Sequence, residues 1–84
     1  MGNSNLDTGH IRDAARNAVK ELVGHAVEED QTLVSSGLID SLSILKLISK
    51  LETKLSVTIP TDSLQPDDFD SIALIVETVQ RTVG

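Results

Sequence analysis

Residues 40–60 read DSLSILKLISKLETKLSVTIP, and the spacing of apolar residues within this stretch decides the fold. At roughly 100° per residue, Ile44, Leu47, Ile48, Leu51 and Leu55 fall on one face of a helix. That is the stripe of a helix buried along one side. Asp40 and Ser41 are both good capping residues, so the helix is expected to begin at Ser41 and to run to about Leu55. The Val57-Thr58-Ile59-Pro60 segment then leaves it as extended chain, too short a run of strand formers to make a sheet. Leu42 and Leu45 fall outside the stripe, and Lys46, Lys50 and Lys54 recur every four residues.

On the N-terminal side, Ile11, Ala15, Ala18, Val19, Leu22 and Val23 form a second stripe at helical spacing, with Asp7 or Thr8 as N-cap and Gly24 as stop. Gly24 to Ile39 has little periodicity. An unstructured connection of that length in a small domain is uncommon unless it is functional, and Leu33, Val34, Leu38 and Ile39 are expected to pin it down. On the C-terminal side, a short turn of helix is expected between Thr61 and Phe69, with Pro66 in its permitted first-turn position. A last helix starts near Asp70 or Ser71 and places Ile72, Ile75, Val76, Val79 and Val83 on one face. The fold class is therefore all-α: a four-helix bundle of three longer helices and a short third one, with a long loop between helices one and two. Leu47, Leu51, Ile72, Ile75 and Val79 should be its buried centre.

The chain has 84 residues, 39% of them hydrophobic, with Phe69 as the single aromatic residue. A chain of this size buries only about 60–65% of its unfolded surface and supports one core. Residues 1–7 are read as a flexible N-terminal tail and 8–84 as one domain. There is no cysteine, so no disulfide, thiolate metal site or cysteine nucleophile is available, and any sulfur chemistry has to come from an added group. A net charge of −6 argues against nucleic acid as a partner, since few cations are present to displace counterions from phosphates. No apolar run approaches the ~20 residues that span a bilayer, and Met1 to Leu6 lacks the basic start and apolar stretch of a signal peptide. A soluble, cytoplasmic monomer with no membrane partner is expected. His10 and His25 stand in no catalytic or metal spacing. The run Glu28-Glu29-Asp30 lacks the alternating ligands and central glycine of a calcium loop. Neither a catalytic residue nor a metal ligand is assigned.

Ser41 stands where a long loop meets a helix start, so its hydroxyl should face solvent within reach of another protein. A phosphate ester there would meet free backbone N–H groups and the positive end of the helix dipole, an interaction worth roughly 0.3–1 kcal/mol when exposed. Asp40 would place a negative charge beside that ester, which suits it to holding the loop or meeting a basic enzyme. Read alone, Asp40-Ser41 is only a helix cap.

Gly37-Leu38-Ile39-Asp40-Ser41-Leu42 resembles the attachment motif of phosphopantetheine carrier proteins, in which a glycine precedes an Asp-Ser-Leu triplet. The resemblance extends through Leu51-Glu52, Ile59-Pro60 and Phe69-Asp70-Ser71-Ile72, from about residue 8 to residue 83. It implies a four-helix bundle, a 4'-phosphopantetheine arm taken from coenzyme A and attached at Ser41 beside Asp40, and a carrier that does no catalysis of its own. It also implies as partners a phosphopantetheinyl transferase, an enzyme that loads an acyl or aminoacyl group, and downstream synthase or tailoring enzymes. The interval from glycine to serine is one residue longer than in fatty-acid carriers and looks more like free-standing carriers such as the D-alanyl type.

Beside Ser41, the off-stripe Leu42 and Leu45, with Lys46, Ser49 and Lys50, form the expected partner surface. The stretch from Leu42 to Ser56 holds three lysines against Glu52 alone, a local balance of +2. Fatty-acid carriers typically present an acidic second helix. The charge therefore favours a specialised pathway of the polyketide or nonribosomal-peptide kind, with fatty-acid synthesis or a non-catalytic helical adaptor as alternatives.

Overall fold

The computed structural model describes residues 7–62 and 64–83. The first apolar stripe becomes helix α1, Thr8–Val23, with Asp7 at its N-cap. Gly24 ends it at φ 91° and ψ 0°, and its N–H donates to the Lys20 carbonyl at 2.8 Å. A residue without Cβ takes this left-handed closure at little cost. Asp7 is the only residue of the expected tail that is described. Its carbonyl accepts the Ile11 N–H at 2.9 Å.

Helix α2, Ser41–Leu55, has the boundaries that its stripe implies, and Ile44, Leu47, Ile48, Leu51 and Leu55 are its buried residues. It closes on Ser56, which takes the left-handed conformation at φ 56° and ψ 45°. The extended segment after it forms no strand, and no strand occurs among the described residues. Ile59 still enters the core, and its N–H donates to Glu52 Oε2 at 2.7 Å. Helix α3, Ile72–Val83, buries Ile72, Ile75, Val76 and Val79. The side chain of Val83, last in the expected stripe, lies outside the described residues.

The expected short third helix takes a different form. Pro66–Phe69 makes a single 3-10 turn, so the bundle consists of three α-helices and this turn. Its bonds span three residues: Asp68 N–H to the Gln65 carbonyl at 2.9 Å and Asp70 N–H to the Asp67 carbonyl at 3.3 Å. Four residues are too few to establish a four-residue ladder, and the tighter turn closes with less chain. Pro66 occupies the first position, where its missing N–H costs nothing. The turn delivers Phe69 into the core, 1% exposed, immediately before α3.

One core joins these elements: α1 packs on both α2 and α3, and the 3-10 turn bridges α2 and α3. Leu33 and Ile39 from the long loop complete it. Val34 is half-buried, and Leu38, expected to help pin the loop, is 38% exposed. The reason is geometric. Gly37 turns the chain at φ 84°, and of the two residues after it the turn sends Ile39 inward. Ala14, outside the expected stripe of α1, is buried as well, whereas Leu22 and Val23 at the end of the helix are half-buried.

Candidate functional site

Ser41 is the first residue of α2 and is exposed. Asp40, its N-cap, accepts the Ser43 N–H on Oδ1 at 2.8 Å. That backbone bond, and after it the Ser43 hydroxyl, holds the Asp40 carboxyl below the ordinary aspartate range. One of the helix-start donors that the sequence leaves open to a phosphate is therefore already taken by Asp40. An anion at Ser41 would rely on the remaining N–H groups and on the helix dipole.

Ser41 also lines a small cleft between α2 and the chain that returns through the 3-10 turn. Ile44, Leu45 and Ile48 form one wall, and Leu64, Pro66 and Phe69 belong to the other. The cleft holds about 120 Å³. A hydroxyl that is exposed and opens on a mostly apolar groove can bear a bulky substituent without displacing the core.

The residues expected to meet partners divide into two groups. Leu42 and Leu45 are 73% and 58% exposed, far more than any residue of the buried stripe. Lys46 and Ser49 are also exposed. Lys50 instead turns to α1, where its Nζ lies 3.2 Å from Glu21 Oε1, and Lys54 Nζ lies 2.8 Å from Glu21 Oε2. Lys54, then Lys50, hold the Glu21 carboxyl below its ordinary range. Two of the three lysines thus tie α2 to α1, while Lys46 has no ion pair among the described residues.

The loop before Ser41 is organised by a residue that the sequence identifies only as a helix opening. Asp70 Oδ1 accepts the N–H groups of Leu33, Val34 and Ser35 at 3.1, 2.8 and 2.8 Å, and Oδ2 accepts the Ser35 hydroxyl at 2.6 Å. The Leu33 N–H also reaches the Asp70 carbonyl at 2.7 Å. The Ser35 hydroxyl, followed by the Ser35, Val34 and Leu33 N–H groups, keeps this carboxyl below its ordinary range. In the sequence, the signals are the unusual loop length and an aspartate ahead of an apolar stripe, and neither names the partner.

His10 and His25 are exposed. Among the described residues no cluster of three metal-ligating side chains occurs, and no helix is long and apolar enough to cross a membrane.

Residues 13–79 match a protein-family model described as a phosphopantetheine attachment site. The chain is 27% identical over 71 residues to the D-alanyl carrier protein of Streptococcus suis (strain 98HAH33), an alignment covering 82% of this chain and 90% of that one. It is 31% identical over 52 residues to the D-alanyl carrier protein of Streptococcus pyogenes serotype M1, covering 62% of this chain and 66% of that one.

Proposed function

This chain belongs to the phosphopantetheine-attachment family of carrier proteins, and from that premise we propose that Ser41 bears the arm and that the cargo is a small acyl or aminoacyl group. Proteins of this family shuttle cargo for separate enzymes, and they work with a phosphopantetheinyl transferase and loading enzymes. The thiol at the end of the arm supplies the thioester link. This chain's own residues supply the attachment hydroxyl, a rigid base for the arm and the surface that partner enzymes recognise.

The observation that supports Ser41 is its position: exposed, first in α2, within the Gly37 to Leu42 motif and at the edge of the cleft. The arm fits there, since the hydroxyl lies on the surface and no core residue has to move. Asp40 caps the helix on which the serine stands and offers a charge to a basic transferase. Residues 8–84 form the carrier domain. The aminoacyl cargo takes its support from the D-alanyl carriers among the relatives. A cargo of this kind suits a specialised pathway of the polyketide or nonribosomal-peptide kind better than fatty-acid synthesis, and so does Lys46, the exposed α2 lysine with no ion pair among the described residues.

Intact-mass measurement after treatment with coenzyme A and a broad-specificity transferase tests the assignment. Wild type gains the mass of one arm, and Ser41→Ala gains none while keeping its helical circular dichroism. Ser36→Ala and Ser43→Ala remain modifiable. Modification of Ser41→Ala would overturn the assignment, and an apo mass for wild type would favour an adaptor that keeps only the fold.

A further inference from the structure

The geometry points to Asp70 as a positioning residue for the modification of Ser41: its carboxylate pre-sets the loop that leads into the attachment serine. The inference rests on Ser41 being the attachment serine.

Asp70 lies just ahead of α3, yet most of its hydrogen bonds cross to the loop between α1 and α2. One carboxylate oxygen gathers three successive backbone N–H groups, those of Leu33, Val34 and Ser35, and the other holds the Ser35 hydroxyl. Bonds from donors to an ionised acceptor are about twice as strong as neutral ones, and three adjacent N–H groups on one oxygen determine the local backbone conformation.

From there the order passes along the loop. The Gly37 N–H donates to the Val34 carbonyl at 3.0 Å, and the Ile39 N–H returns to the Leu33 carbonyl at 2.9 Å. Leu33 is thus held by Asp70 on its N–H side and holds Ile39 on its carbonyl side. Ile39, 1% exposed, is followed directly by the cap Asp40 and by Ser41. The chain from 33 to 39 forms a closed loop whose two ends meet at Leu33, and the clamp fixes that meeting point. A second tie at the start of α3, the Ala73 N–H to the Glu29 carbonyl at 3.2 Å, holds the earlier half of the same loop.

A helix opening needs none of this. Ser71 already supplies a cap-type bond at the start of α3, its Oγ accepting the Leu74 N–H at 3.1 Å. The Asp70 carboxylate is therefore free of the helix it precedes and is spent on the loop. Without the clamp, Ser41 still begins α2, capped by Asp40, but residues 33–38 sample other conformations. A transferase that binds the ordered loop then meets a smaller competent fraction, so the apparent KM for the carrier rises while kcat at saturation is kept.

The experiment measures initial rates of arm transfer from coenzyme A against carrier concentration. Wild type is compared with Ser35→Ala, Asp70→Asn and Asp70→Ala, and with Val79→Ala as a core variant remote from the loop, all under conditions where each is folded by circular dichroism. Asparagine keeps one acceptor oxygen, so the expected order of KM is wild type, then Asp70→Asn, then Asp70→Ala, the last raised about tenfold if the competent fraction falls to about a tenth. Ser35→Ala should raise KM by a smaller factor. Amide exchange at residues 33–35 and 39 should speed up in the same order, with the interior of α2 unchanged. Val79→Ala should keep the wild-type KM.

Wild-type KM in folded Asp70→Ala, or an equal rise in Val79→Ala, overturns the inference. If Asp70→Ala does not fold, wild-type KM and loop exchange in both Asp70→Asn and Ser35→Ala overturn it, and a raised KM in either supports it. Failure of wild type to be modified at Ser41 refutes the attachment assignment instead.

Discussion

At Gly37 the backbone stands at φ 84°, and nothing lies within 4 Å of where a Cβ would be. The position therefore tests conformation free of any clash. Gly37→Ala should cost about 0.5–1 kcal/mol, the penalty of a left-handed L-residue less the unfolded-chain entropy that glycine carries, read as a shift in the urea midpoint with an unchanged slope. Ser56 presents the opposite case, since an L-residue already sits at φ 56° to close α2. Ser56→Gly removes that penalty but adds unfolded-chain entropy, leaving a net gain of about 0.5–1 kcal/mol. Asp70 adds a pH dependence. Its folded pKa is depressed, so its contribution is complete above the ordinary aspartate value of 3.8 and is lost as pH falls from there through the folded value. Denaturant midpoints measured from pH 7 down to pH 3 should therefore fall more steeply for wild type than for Asp70→Asn. A parallel fall in the two proteins would mean that the charge on Asp70 adds nothing to the stability of the clamp. Gly37 was legible because it belongs to a short motif. The clamp was not, because it joins residues 35 to 37 positions apart and leaves no periodic trace.

Helix α2 shows what periodicity can convey and where it stops. Its stripe identified every buried residue from Ile44 to Leu55, and the same stripe left Leu42 and Leu45 on the outside, where they are. Leu47 is 0% exposed, so Leu47→Ala should cost about 2–5 kcal/mol, while Leu42→Ala should stay within about 0.5 kcal/mol of wild type. Equal midpoints for the two variants in thermal or urea unfolding would require α2 to be rotated. The 3-10 turn was less legible. Pro66 marked where a turn begins, but the choice between an α-turn and a 3-10 turn depends on how much chain must fit between Ile59 and Phe69, both of them in the core. Leu38, 38% exposed, escapes the pattern for a related reason: an apolar residue in an irregular loop has no period that assigns it a side.

Across the whole molecule, the charges on α2 matter more for what they face than for their sum. Counted along the sequence, Lys46, Lys50 and Lys54 form one basic stripe. In the fold Lys50 and Lys54 meet Glu21 of α1, which leaves Lys46 as the lysine of the three with no ion pair among the described residues, one turn beyond Leu42 on the side away from the core. If partner enzymes dock over Leu42 and Leu45, Lys46 is the charge they meet, and its contribution appears in the rate of encounter. Lys46→Glu should slow loading by the native loading enzyme at low salt, leave the unfolding midpoint unchanged, and converge on wild type as added salt screens the interaction over about 8–10 Å. Lys54→Glu should behave differently. It sets a second carboxylate against Glu21, so its main effect is a lower midpoint through like-charge repulsion between α1 and α2, with a smaller effect on loading. The two variants change net charge equally, so a mechanism based on total charge would slow loading to the same degree in both. Only a local docking surface separates them, and loading by Lys46→Glu at the wild-type rate in low salt would remove that surface from α2.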